Sequence, residues 1–95
     1  MANRELRELW AELDAELTSL RSAFDASPLG ATTLKYFDES LEANEYGVAL
    51  DALCDFLANA QTPSVEADLL ARMEALYAKM GCESECLARL RQKAR

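Results

Sequence analysis

Between positions 6 and 24 the large apolar residues are Leu6, Leu9, Trp10, Leu13, Leu17, Leu20 and Phe24, spaced three and four apart with charged or small residues between them. That spacing returns each apolar side chain to one face of a helix; a strand, whose faces alternate every second residue, would scatter them. The segment from Asn3 to Phe24 is therefore predicted to be one amphipathic helix, with Asn3 as its N-cap and Arg4, Arg7, Glu8, Glu12 and Arg21 facing water. A chain of 95 residues has room for one core, so the whole stripe is expected to lie inside it.

The same periodicity continues, punctuated by few breakers, for the chain has only three glycines and two prolines. Ser27-Pro28-Leu29-Gly30 ends the first helix. A second helix is predicted to start at Thr32 or Thr33 and run to about Ala43, with Leu34, Phe37 and Leu41 inward. Asn44 suits a left-handed terminal position. The third helix restarts near Glu45 and buries Leu50, Leu53, Cys54 and Leu57, with Tyr46, Ala49 and Phe56 on its margins. Thr62 and Pro63 have the chemistry of an N-cap followed by a first helical residue, and Gly81 that of a stop. Between them Val65, Leu69, Met73, Leu76, Tyr77 and Met80 form a stripe. A fifth helix from Ser84 places Leu87 and Leu90 inward, with Arg89, Arg91, Lys93 and Arg95 near its carboxyl end. No run has strand periodicity, so the fold class is all-α, a single-domain bundle of four or five helices over residues 1–95.

Charge is unevenly spread. The net value is -7, yet residues 36 to 70 hold eight acids and no base, while residues 71 to 95 carry six bases and three acids. On the second helix Asp38, Glu39 and Glu42 point away from the apolar stripe; on the third, Asp51 and Asp55 share an outer face with Val48. Like charges one turn apart destabilise an isolated helix by about 0.2–0.5 kcal/mol per pair. Such a surface repels nucleic acid and anionic lipid and attracts a cationic protein. Glu45, Tyr36 and Tyr46 extend it, the tyrosines as candidate desolvated anchors. A solvated acidic face that serves solubility alone is the plain alternative.

Chemistry of the chain's own has little to stand on. There is no histidine, and no cysteine has a visible activating base. Cys54 lies on an apolar stripe as a small core residue. Cys82 and Cys86 fall four apart but lack the further ligands of a zinc site, and no cofactor or metal is expected. An odd number of cysteines without paired spacing suggests a reduced, cytoplasmic setting. The amino-terminal MANRELRELW has charge from position 4 onward, unlike a secretory signal, and no segment has the length and apolarity of a membrane span.

The stretch FDESLEANEYGVALDALCDFL also resembles the central helix-turn-helix of small bacterial immunity proteins of the MafI and contact-dependent growth inhibition type. The matching positions are Phe37, Asp38, Glu39, Leu41, Glu42, Asn44, Glu45, Ala49, Leu50, Asp51, Leu53 and Leu57. Gly47 departs from the pattern, standing where a larger residue is expected. The resemblance implies a cytoplasmic, non-enzymatic inhibitor that binds a cognate secreted toxin domain, often a nuclease, through this acidic face. Its partner-binding residues would be Asp38, Glu39, Glu42, Glu45, Asp51 and Asp55, with Tyr36 and Tyr46 as anchors. Two other small helical architectures remain as rivals. An acyl carrier would need an Asp-Ser-Leu triplet at the start of a helix, for which Ser40 in Glu39-Ser40-Leu41, in mid-helix and preceded by the wrong acid, is the nearest match. A self-associating adaptor would use the Trp10 stripe as a seam.

Overall fold

The computed structural model describes residues 2–24, 27–59, 65–81 and 84–93. Five α-helices follow in order: α1 (Ala2–Ser19), extended by a 3-10 turn (Leu20–Ala23), α2 (Pro28–Glu42), α3 (Tyr46–Asn59), α4 (Ala67–Met80) and α5 (Glu85–Lys93). The all-helical single bundle expected from periodicity is the fold observed. Among the described residues no helix is long and apolar enough to cross a membrane.

The helix starts depart from the sequence reading. Asn3 lies inside α1 rather than at its cap. Ser27 and Pro28 do not break a helix but begin one: the Ser27 hydroxyl accepts from Gly30 N at 3.0 Å, and Pro28 occupies the first turn, where a missing donor costs nothing. Thr32 and Thr33, expected as caps, sit within α2 and donate back to the carbonyls of Pro28 and Leu29. At α4 the cap position is Glu66, without a side-chain bond; Thr62 and Pro63 lie outside the described residues, as does Arg95. The helix ends follow expectation, with Asn44 at φ 59° and Gly81 at φ 69°, both left-handed.

α3 is the centre of the bundle. It packs most extensively on α2, next on α5, and also on α1 and α4. Ala49, Leu50, Leu53 and Cys54 are fully enclosed, and Phe56, expected at the margin, is buried as well. Phe37 from α2 is equally enclosed, and Phe24 stacks between it and Phe56 with ring centroids 5.2 Å from each. Leu13, Leu17 and Leu20 close the core from α1, and Met73, Leu76 and Leu90 from α4 and α5.

The stripe of α1 is only partly inside. Leu6 and Trp10 are 44% and 46% exposed, and Leu9 is half-buried. Helix lengths give part of the reason: 18 residues span about 27 Å, whereas the 14 residues of α3 span about 21 Å, an excess of about one turn at the overhanging end of α1, while Trp10 borders an open groove at the start of α3.

The cysteines also depart from the reading. Cys54 is in the core as expected, but it is bonded to Cys86, joining α3 to α5 across a sequence separation of 32 with 6.1 Å between the Cα atoms. Cys82 lies outside the described residues. The premise of unpaired thiols that pointed to a reduced compartment is therefore removed. α5 is further held by Lys93 Nζ donating to Leu57 O at 2.8 Å, Val65 N to Lys93 O at 2.8 Å, and Arg89 to the Asn59 side chain at 2.8 Å.

A crosslink closing a loop of 32 residues restricts the unfolded chain by about 3–4 kcal/mol. Urea unfolding with and without dithiothreitol is expected to show a loss of that size on reduction, with far-UV circular dichroism still helical. An unchanged midpoint would mean that the bond contributes nothing to stability.

Candidate functional site

The acidic stretch is divided by the fold. On the α1 side, Asp38 is half-buried and receives both Nε and Nη2 of Arg21 at 2.9 Å, a bidentate pair across 17 residues of sequence. The hydrogen bond and charge of Asp38 raise the pKa of the Arg21 guanidinium above its ordinary value. Asp38 and Glu42 line an open cleft of about 480 Å³ with Asp14, Thr18, Arg21, Leu41, Asn44 and Tyr46. Asp38 is thus not the free carboxylate that sequence reasoning placed on the outer face.

On the α4 side, Asp51 accepts a hydrogen bond from the Tyr77 hydroxyl at 2.5 Å. Burial, and then this bond to Asp51, raise the Tyr77 pKa well above its ordinary 10.0; the Ser84 side chain opposes the rise and Asp55 adds a small repulsion. Asp51 therefore latches α3 to α4. Asp55 is exposed on the same outer stripe as Val48 and Asp51, on the side of Tyr77, whose pKa its charge helps to raise.

Three predicted residues remain together. Glu39 and Glu42 are exposed on the last turns of α2, and Glu45 is exposed immediately beyond the turn at Asn44. Tyr36, 53% exposed, lies three residues before Glu39 and therefore beside it on the helix surface. None of Glu39, Glu42, Glu45 or Asp55 has an ion pair among the described residues. Tyr46 is a weaker anchor than expected: it is half-buried, and its hydroxyl donates to Asn44 Oδ1 at 3.0 Å. Its pKa is raised by burial and secondarily by Asp14.

Several bases are used elsewhere, while Lys35, exposed on α2 one turn before Glu39, has no ion pair among the described residues. Lys79 on α4 reaches Glu12 at 2.6 Å and Glu16 at 2.8 Å, which raises the lysine pKa, while Arg91 lies 3.5 Å from Glu74. The basic carboxyl-terminal helix caps the end of α3 through Lys93 and Arg89 instead of covering the α2–α3 corner. Sequence could not reveal Arg21–Asp38 or Tyr77–Asp51, because no local spacing ties partners 17 or 26 residues apart.

Ser40, the nearest match to a carrier serine, is buried and donates to Tyr36 O at 2.9 Å, so its hydroxyl is not presented for modification. Among the described residues no group of histidine, cysteine, aspartate or glutamate is arranged to hold a metal ion. Comparison with protein-family models, curated proteins and solved structures finds no match to this chain.

The Tyr77–Asp51 latch has a pH signature. The Tyr77 pKa is raised in the folded chain, so its contribution is complete below pH 10.0 and declines as pH rises above that unfolded value. Stability measured between pH 9 and 11.5 is expected to fall less steeply in Tyr77→Phe than in the parent, at the cost of about 1 kcal/mol at neutral pH. Identical slopes in the two proteins would show that the hydroxyl is not held as described.

Proposed function

We propose that the chain is an immunity protein that neutralises a cognate secreted bacterial toxin domain by stoichiometric binding, with the α2–α3 corner as its contact surface. One observation carries the reading: Glu39, Glu42 and Glu45 stand together and exposed at one corner, and none has an ion pair among the described residues, although Lys35 lies one turn before Glu39 on α2. Tyr36 beside them offers an aromatic surface that loses water on contact.

A nuclease domain has the matching chemistry. Its substrate is a polyanion, so its cleft is lined with lysine and arginine, and a cluster of carboxylates on a rigid helical corner can fill that cleft in place of phosphates. Opposite charge also accelerates encounter, which favours an inhibitor that must capture a toxin before it acts. Asp38 and Asp51 then serve the fold, by fixing α2 to the end of α1 and α3 to α4. Asp55 contributes to the general negative field. No chemistry is assigned to the chain itself.

The reading expects the neighbouring reading frame to encode an exported protein ending in a small basic domain, and the test is protection of bacteria by co-expression with that domain. The triple variant Glu39→Lys, Glu42→Lys, Glu45→Lys is expected to keep its helicity, lose more than 100-fold in affinity and fail to protect. Asp55→Lys is expected to lose less than tenfold. Full protection by the triple variant would remove the corner from the interface.

A further inference from the structure

Trp10 and Val48 are exposed on an open groove of about 500 Å³ between α1, the start of α3 and the last turn of α4, and Leu6 is exposed one turn earlier on α1. Leu9, Tyr46 and Met80, all half-buried, form its apolar lining. Gly47 also lines it and has no evident role within the chain. It sits in a helix without a positive φ, and a Cβ built there would meet nothing within 4 Å. Glycine is less favourable than alanine in a helix, so neither conformation nor internal packing accounts for it. What glycine does supply is a shallow recess that a large side chain from outside can enter.

We propose that this face is the seam of a two-fold homodimer in which the α1 helices of two copies cross antiparallel near Leu9 and Trp10. An isologous contact requires one patch to carry both the projection and the recess, and both signs of charge. This patch does. Trp10 projects beside the recess at Gly47, so the two-fold operation brings each Trp10 to the other copy's groove. Arg7 is exposed on the overhanging half of α1 with no ion pair among the described residues, while Glu45, equally unpaired, lies on the groove rim. Within α1 the antiparallel register sets Arg7 of one copy opposite the later half of the other helix, which carries Glu12, Asp14 and Glu16 and no base; Glu12 and Glu16 already hold Lys79, which leaves Asp14 as the exposed acid there without an ion pair among the described residues. Two copies of a chain with net charge -7 repel one another over most of their surface, and the exposed Arg7 offsets that repulsion on this face. Glu39 and Glu42 of the proposed toxin-contact corner do not line this groove, whereas Glu45 borders both surfaces, so Glu39→Lys with Glu42→Lys is the variant that probes the corner alone.

Sedimentation equilibrium from 1 to 300 μM, with Trp10 emission followed over the same range, tests the proposal on the intact chain. Because Trp10 is the sole tryptophan, its emission reports on this face alone. The expected result is a rise from 10.5 kDa toward twice that mass, with a blue shift of the emission over the same concentrations. Trp10→Glu and Gly47→Leu should each remain monomeric with unchanged helicity, and Arg7→Glu should weaken the dimer about tenfold or more. A mass of 10.5 kDa throughout with unmoved emission overturns the proposal, leaving the groove to a different chain. So does a dimer whose tryptophan emission stays constant, or one that survives in both Trp10→Glu and Gly47→Leu.

Discussion

The enclosure of α3 is the constraint on which the rest of the molecule depends. Its apolar residues are buried on every side but one, so four other helices must be placed against it. Hydrophobic burial draws those helices in but does not fix their rotation, since apolar contact has little directionality. The direction comes from specific contacts made by α3 itself or by its close neighbours. Cys54 is bonded to Cys86 of α5, Asp51 receives Tyr77 of α4, and the carbonyl of Leu57 and the side chain of Asn59 receive Lys93 and Arg89. Arg21 and Asp38 then tie the end of α1 to α2. Among the described residues no buried side-chain polar atom lacks a partner.

That arrangement also decides what the charge is for. Asp38, Glu12, Glu16 and Glu74 are matched by Arg21, Lys79 and Arg91, and Lys93 and Arg89 of α5 bond to the carboxyl end of α3, where cations meet a negative helix terminus. Among the described residues Glu39, Glu42 and Glu45 at the α2–α3 corner take none of these bases as an ion-pair partner, although Arg21 borders the same cleft as Glu42. A cluster of acids held at one corner of a bundle has a position and an orientation. The overhang of α1 arises from the same geometry, because a helix longer than its support leaves apolar side chains to be covered by something else.

Much of this was legible in the sequence. Periodicity identified the helices, Asn44 and Gly81 marked two ends because few residues tolerate left-handed backbone, and the buried faces of α3 and α5 followed from spacing. Ser27-Pro28 was misread, although a cap residue followed by proline carries the same signal as Thr62-Pro63; the adjacent Gly30 suggested a break, whereas it is buried inside the first turn of α2. Trp10 and Leu6 were placed in the core because a stripe gives the direction of a side chain and not the length of the helix that covers it. Of the eight proposed contact residues, Asp38 and Asp51 proved to have internal partners and Tyr46 to be half-buried. Those partners, like the Cys54–Cys86 pairing, are properties of the tertiary fold, which joins positions with no local pattern between them.

Native-state hydrogen exchange of the intact chain, read amide by amide as a function of denaturant, tests the central place of α3 most directly. Amides from Leu50 to Leu57 should exchange only through global unfolding, while those of the overhanging first half of α1 exchange through local opening at much lower free energy. If α3 opened before α2 or α5, the bundle would not be organised around it, and the division of its acids between internal latches and a free corner would lose its physical basis.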